Sequence, residues 1–163
     1  SVLDHLIHCI AHRPISSRPL RVALDGWYGI DWPAFVGTLK SKAAAVGLRV
    51  AFHSTTDLFK SREIIADYRR AFTETSDPGF GIVNTDGHIS DLMDAEKVQN
   101  LRAAIETASG SDGLIVYGVG AAIPELCDGY DVRCYFDKTR QPILWEMWGG
   151  QLIPFGWNEP KRD

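Results

Sequence analysis

The sequence predicts an α/β domain of three layers, a mostly parallel sheet flanked by helices. Three observations point there. Leu20 to Ser54 reads as strand, Gly-containing turn, helix and strand, which is one βαβ unit. GLIVYGVG, residues 113–120, is a short apolar run with β-branched content, the pattern of a buried strand. The remaining apolar stretches fall at helical spacing, and no linker, internal repeat or charge block divides the chain.

Each element follows from local pattern. Val2, Leu3, Leu6, Ile7 and Ile10 lie at helical spacing, so SVLDHLIHCIAHR is a short amphipathic helix. Pro14 and Pro19 bracket a polar connector, making residues 1–17 a helix and its exit. LRVALDG then reads as a buried strand closing on Asp-Gly. After the turn GWYGIDW, PAFVGTLKSKAAAVG is helical, with Asp31 in the N-cap region, Pro33 in the first turn and Gly47 at the stop. LRVAFHS is the second strand, and the crossover joining the two is expected to be right-handed. SREIIADYRRAFTETS begins as helix and is broken by SDPGFG. DAEKVQNLRAAIETASG is a helix stopped by Gly110, and VRCYFDK is a further strand. QPILWEMWGG is helical or irregular, and residues 141–163 are assigned to an irregular C-terminal segment of the single domain 1–163.

Composition excludes several classes. The 163 residues carry 17 Lys+Arg against 21 Asp+Glu, a formal net charge of -4, with 45% hydrophobic residues. Collagen-like, low-complexity and disordered chains do not look like this. The mild acidity offers no basic footprint for nucleic acid and no polybasic patch for a membrane surface. No apolar run approaches the ~18 residues that a membrane span needs, and the N-terminus is no signal peptide. Cys9, Cys127 and Cys134 are an odd number at scattered spacings, against a disulfide framework or a zinc site. A reduced, cytoplasmic protein is expected, and Ser1 in place of Met suggests a domain excised from a longer chain.

In an open parallel sheet, ligands gather at the carboxyl ends of the strands near the topological switch point. Those ends carry Asp25-Gly26, Thr55-Thr56-Asp57, Tyr117-Gly118 and Asp137. The turn after the first strand would also aim backbone N–H groups from a helix N-terminus, an anion-binding geometry.

RPLRVALDGWYGIDWPAFVGTLKSKAAAVGLRVAFHSTTDLFKSREI resembles the opening of a uridine-kinase-like P-loop protein. In that family a strand ends in Asp-Gly, a phosphate loop and helix follow, and the second strand ends in an Asp-x-Phe motif. Asp57-Leu58-Phe59 stands at that motif, with Ser61-Arg62-Glu63 beyond it. Ser76-Asp77-Pro78-Gly79-Phe80 resembles the family's later Gly-Phe segment, DGLIVYGVG its apolar strand ending in Glu-Gly, and VRCYFDK its last core strand. The resemblance covers about residues 18 to 140, in order and spacing more than identity, and implies a P-loop-kinase-like fold.

The departures bear on activity. A working phosphate loop reads G-x-x-x-x-G-K-[ST], with Lys on the β/γ-phosphates and Ser/Thr on Mg²⁺. Here the stretch is Gly26-Trp27-Tyr28-Gly29-Ile30-Asp31-Trp32-Pro33. The Lys and the hydroxyl are missing, Asp31 brings like charge toward a polyphosphate, and Trp27 and Tyr28 are bulky where backbone should wrap an anion. Tyr117 replaces the Glu of Glu-Gly, and Trp145-Glu146-Met147-Trp148 stands where lid arginines are expected. Phosphoryl transfer depends on positioning and charge stabilisation, so a chain without these parts is expected to be a non-catalytic, pseudo-kinase module. The strand ending Tyr117-Gly118-x-Gly120-Ala121 further resembles a domain accompanying some bacterial type I mannose-6-phosphate isomerases, which implies an accessory role beside a separate metal-bearing cupin.

The candidate ligand-binding residues are Asp25, Gly26, Trp27, Tyr28, Gly29, Asp31, Tyr117 and Gly118, with Asp57 the catalytic residue if the protein is active. Asp57 is either a general base toward a substrate hydroxyl or the cap of a helix beginning near Lys60. Asp25 stands either behind a metal or in plain Asp-Gly turn chemistry. His8 and His12 are an i, i+4 pair on a helix that reads as solvated, His53 sits in a strand, and His88 joins a site only if its loop folds over the strand ends. Trp27, Tyr28 and Trp32, with Trp145, Trp148, Phe155 and Trp157, either fill a vacated nucleotide pocket or dock a protein partner or a second copy, with stacking on a sugar ring or base as a third reading. No cofactor is expected. Mg-ATP enters only under the alternative of a nucleoside or small-molecule phosphotransferase, which needs Lys60, Arg62 or Arg133 at the phosphates. A non-phosphate enzyme would use Asp57 with His88 or Tyr117 as acid and base.

Overall fold

A computed structural model describes residues 1–13, 18–27, 29–76, 80–153 and 155. In chain order the elements are α1 (Val2–Ala11), β1 (Leu20–Gly26), α2 (Trp32–Ala45), β2 (Val50–Ser54), α3 (Arg62–Thr73), α4 (Ala95–Thr107), β3 (Gly113–Tyr117), α5 (Pro124–Cys127), β4 (Val132–Phe136) and α6 (Arg140–Trp148). Two 3₁₀ turns, Thr56–Leu58 and Ile89–Leu92, precede α3 and α4 respectively. All four strands are parallel, in the order β2-β3-β1-β4. The predicted α/β class and parallel sheet are therefore what the chain adopts.

Alternation along the strands makes the three layers. Leu20, Val22 and Leu24 point to one face of β1, where Ile115 of β3 joins them against Leu6, Ile7 and Ile10 of α1 and Leu39 and Ala43 of α2. Ala23, Leu114 and Val116 point the other way, into Val98, Leu101 and Ile105 of α4 and Leu126 of α5. Val22, Ala23, Leu24, Ile115 and Val116 are wholly buried, as central strands covered on both faces must be. By contrast α3 buries only Ile65 and stands largely in solvent.

The boundaries are set by chemistry already visible in sequence. Asp31 caps α2, its carboxylate accepting the Ala34 N–H at 3.0 Å, and Pro33 sits in the first turn. Gly47, at φ +74°, lets the chain turn out of α2.

At the C-terminus the structure selects one of the two readings of QPILWEMWGG. Residues 140–148 form α6, so the helical reading holds through Trp148 and the assignment of 141–163 as wholly irregular does not. Pro142 falls in its first turn, where a missing N–H costs nothing. No buried side chain belongs to α6, so no apolar stripe betrays it.

Connectivity places the crevice. The chain leaving β1 travels past β3 to β2, whereas the chain leaving β3 travels past β1 to β4. Neighbouring strands thus send their connections in opposite directions, and the carboxyl ends of β1 and β3 form the switch point.

Candidate functional site

At the carboxyl end of β1, Asp25 is turned inward onto backbone. Its Oδ1 accepts the N–H of Gly26 at 2.7 Å and of Gly120 at 2.9 Å, while Oδ2 accepts the N–H of Ala122 at 2.9 Å. The carboxylate ties β1 to the loop after β3 across the switch point. Gly118 begins that loop at φ +123°, and its N–H donates to the Leu24 carbonyl at 3.0 Å. A Cβ there would lie 2.2 Å from Thr55 Oγ1. Thr55 is itself buried, its hydroxyl donating to the Val119 carbonyl at 2.9 Å and its N–H to the Tyr117 carbonyl at 3.0 Å. The ends of β1, β2 and β3 are knitted together by these bonds.

The loop between β1 and α2 closes on itself. Trp27 N–H donates to the Phe136 carbonyl at 2.9 Å, Ile30 N–H to Trp27 at 3.4 Å, and Trp32 N–H to Ile30 at 2.9 Å. The amides of Gly26, Trp27, Ile30, Trp32 and Ala34 are thereby occupied, and Pro33 has none to offer an anion. A phosphate at the N-terminus of α2 would meet the Asp31 carboxylate already there. Gly26 must be glycine because a Cβ would sit 2.8 Å from the Phe136 carbonyl oxygen. Gly29 takes φ +94°. Tyr28 lies outside the described residues.

The aromatic residues divide. Trp32 packs inward, its ring centroid 5.8 Å from Phe136, 6.1 Å from Phe35 and 6.2 Å from Tyr117. Its indole Nε1 is buried with no hydrogen-bond partner. Trp27, Trp145 and Trp148 are exposed, Trp148 at 73%. Trp157 lies outside the described residues.

A domain of unknown function, DUF8485, matches residues 3–163. The chain belongs to this family. No curated protein matches it in sequence. Among solved structures, the chain is similar to one described as a possible uridine kinase from Bacillus stearothermophilus, at 16% identity and a TM-score of 0.57, covering 89% of this chain and 83% of that one. A likeness to Saccharomyces cerevisiae RIF2 has a TM-score of 0.40 at 13% identity, over 85% of this chain and 56% of that one. The first match shows a P-loop-kinase-like fold for this DUF8485 domain, and neither bears on an isomerase association.

Several candidate residues stand elsewhere than expected. Asp57 does not cap α3. It lies in the 3₁₀ turn Thr56–Leu58, exposed, and its carbonyl accepts the Lys97 ammonium at 3.0 Å. The cap is Ser61, whose hydroxyl accepts the Ile64 N–H, because α3 begins at Arg62 and not near Lys60. Lys60 is committed to the Asp91 carbonyl at 2.8 Å. Arg133 is exposed on the edge strand β4. His88 lines a groove of about 310 Å³ with Tyr68, Phe72, Ile82 and Leu92, against α3. Its N–H donates to the Asp91 carboxylate at 2.8 Å, and that bond with the Tyr68 hydroxyl outweighs burial to hold the Asp91 carboxyl below its usual range. Residues 77–79 lie outside the described ones. Among the described residues no group of three or more His, Cys, Asp or Glu converges as a metal site, and no helix is long and apolar enough to cross a membrane.

The cation at the loop is one the sequence reading missed. Lys138, two residues beyond β4, donates to the Gly29 carbonyl at 2.9 Å and pairs with Glu146 of α6. The available signal was position alone, since Asp137-Lys138 follows a strand's carboxyl end as Asp25-Gly26 does.

Proposed function

We propose that this domain is a non-catalytic module on a P-loop-kinase-like fold, serving as an accessory or interaction domain. The observation that carries the reading is the Asp31 carboxylate on the N-terminus of α2, beside a loop whose Gly26, Trp27, Ile30 and Trp32 amides already have acceptors. Phosphoryl transfer needs donors and cations aimed at developing negative charge. Residues 26–33 supply neither a Lys nor a Ser or Thr hydroxyl. Exposed Trp27, Trp145 and Trp148 support docking of a protein partner over ligand chemistry, since Trp is enriched at interface hot spots. A link to sugar-phosphate metabolism rests only on the Tyr117-Gly118-x-Gly120-Ala121 strand end.

Isothermal titration with Mg-ATP tests the reading, with Asp31→Lys run beside the wild type. The expected result is no saturable heat for the wild type at millimolar ATP. Saturable binding would mean that the loop still cradles phosphate, and phosphoryl transfer lost in Asp57→Asn would then overturn the reading in favour of a small-molecule phosphotransferase with an atypical loop.

A further inference from the structure

The segment after β4 crosses the whole carboxyl edge of the sheet. It leaves the β4 edge at Lys138 and lies over the β1 loop, where Glu146 Oε2 and Leu152 Cδ2 each come within 3.1 Å of a Cβ built on Gly29. Farther along, Phe155 is stacked on Phe59 with ring centroids 5.0 Å apart and an interplanar angle of 11°. Phe59 lies just beyond β2, the opposite edge strand. The strap therefore meets the β1–α2 loop on one side of the switch point and the chain beyond β2 on the other.

One contact within the strap is of a kind that a ligand can replace. The Lys138 ammonium, held by the Gly29 carbonyl, spends its charge on Glu146 Oε1. The other oxygen, Glu146 Oε2, is buried and has no hydrogen-bond partner. A buried carboxylate oxygen without a donor carries an uncompensated desolvation cost. The closed strap is thus held by half of a carboxylate while the other half opposes closure.

We propose that Glu146 is an internal stand-in for an oxyanion ligand, and that a phosphate-bearing small molecule pairing with Lys138 displaces it and lifts α6 from the loop. Lys138 offers an ammonium with three donors, suited to a compact oxyanion as a point charge. Displacement needs no transfer chemistry, so a domain that transfers nothing can still sense such a ligand. The inference goes beyond the non-catalytic reading, and its ligand pairs with Lys138 rather than with the α2 N-terminus that Asp31 occupies.

Pyrophosphate is the probe, titrated into the wild type, Glu146→Gln and Glu146→Gln/Lys138→Met, with binding read by calorimetry. Glu146→Gln keeps the shape of the side chain and removes the competing charge. It is expected to bind pyrophosphate on the order of tenfold more tightly than the wild type, with the gain lost in the double variant. Equal affinity of wild type and Glu146→Gln, or a gain that survives Lys138→Met, would overturn the proposal. The wild type supplies a readout that does not depend on the folding of any variant. Millimolar pyrophosphate is expected to speed amide hydrogen exchange across 140–152 while β1 and β3 stay protected. Unchanged exchange there would equally overturn it. Phosphoryl transfer by the wild type would contradict the non-catalytic reading and leave this comparison intact, so the two fail separately.

Discussion

The Asp25 carboxylate reaches from β1 across the switch point to the Gly120 amide, 2.9 Å away, and through its second oxygen holds Ala122 as well. An aspartate at the head of a phosphate-type loop is here a backbone clamp between two strands. Ligand chemistry at this point would have to compete with three amide hydrogen bonds.

That relationship makes Asp25 a stability residue. Asp25→Ala leaves the amides of Gly26, Gly120 and Ala122 without their acceptor and is expected to cost about 3 kcal/mol in a part-buried site. Asp25→Asn keeps one acceptor oxygen but turns an NH₂ toward an amide donor, for about 2 kcal/mol. Urea unfolding monitored by circular dichroism measures both. A loss under about 0.5 kcal/mol for either variant would contradict the clamp.

Asp31 separates cap from charge. Its carboxylate accepts the Ala34 N–H, so Asp31→Ala is expected to lower stability by about 1 kcal/mol and Asp31→Asn by only a few tenths. Paired thermal melts decide it. If Asp31→Asn proves as costly as Asp31→Ala, charge and not capping geometry is what the position requires.

Much of this was legible in the sequence because it is local. The β1–α2–β2 opening declares itself through an apolar run, a turn and a cap lying within a few residues of one another. The two faces of β1 follow from strict alternation in Leu20 to Leu24. The clamp was illegible because Asp-Gly is ordinary turn chemistry and its partners lie 95 and 97 residues away. Helix α6 stayed between helical and irregular because Leu144, Trp145, Met147 and Trp148 make no single stripe. The aromatic residues looked like one cluster in sequence, yet Trp27 faces solvent and Trp32, five positions on, faces the core. Lys138 and Glu146 meet over Gly29 only once β4 is set beside β1.

Gly118 shows how little slack the switch point has. Alanine there must hold φ +123° and place a Cβ 2.2 Å from the hydroxyl of a buried Thr55 that two backbone carbonyls pin. Gly118→Ala is expected to cost about 2–4 kcal/mol, combining backbone strain with the clash. Adding Thr55→Ala removes the clash but not the strain. The double variant should therefore be less destabilised than the sum of the singles, a non-additivity that denaturant midpoints resolve.

Asp131 governs the acid side of the stability curve. Burial alone would raise its carboxyl pKa, but the Arg18 fork at 2.8 and 3.0 Å, the Arg21 amide at 2.9 Å and the nearby Arg13 together hold it below the usual aspartate value. A carboxyl whose folded pKa is depressed stabilises the fold fully above its unfolded pKa, about 3.9. That contribution is lost as pH falls through the lower, folded value, when the native state must accept the proton. The wild type is therefore expected to lose stability steadily below about pH 4, with Asp131→Asn less stable at neutral pH but shallower in its acid decline. Urea midpoints at neutral and acid pH test the sign directly. Parallel profiles for the two proteins would mean that other carboxylates carry the acid transition and that the Arg18 pair contributes nothing to it.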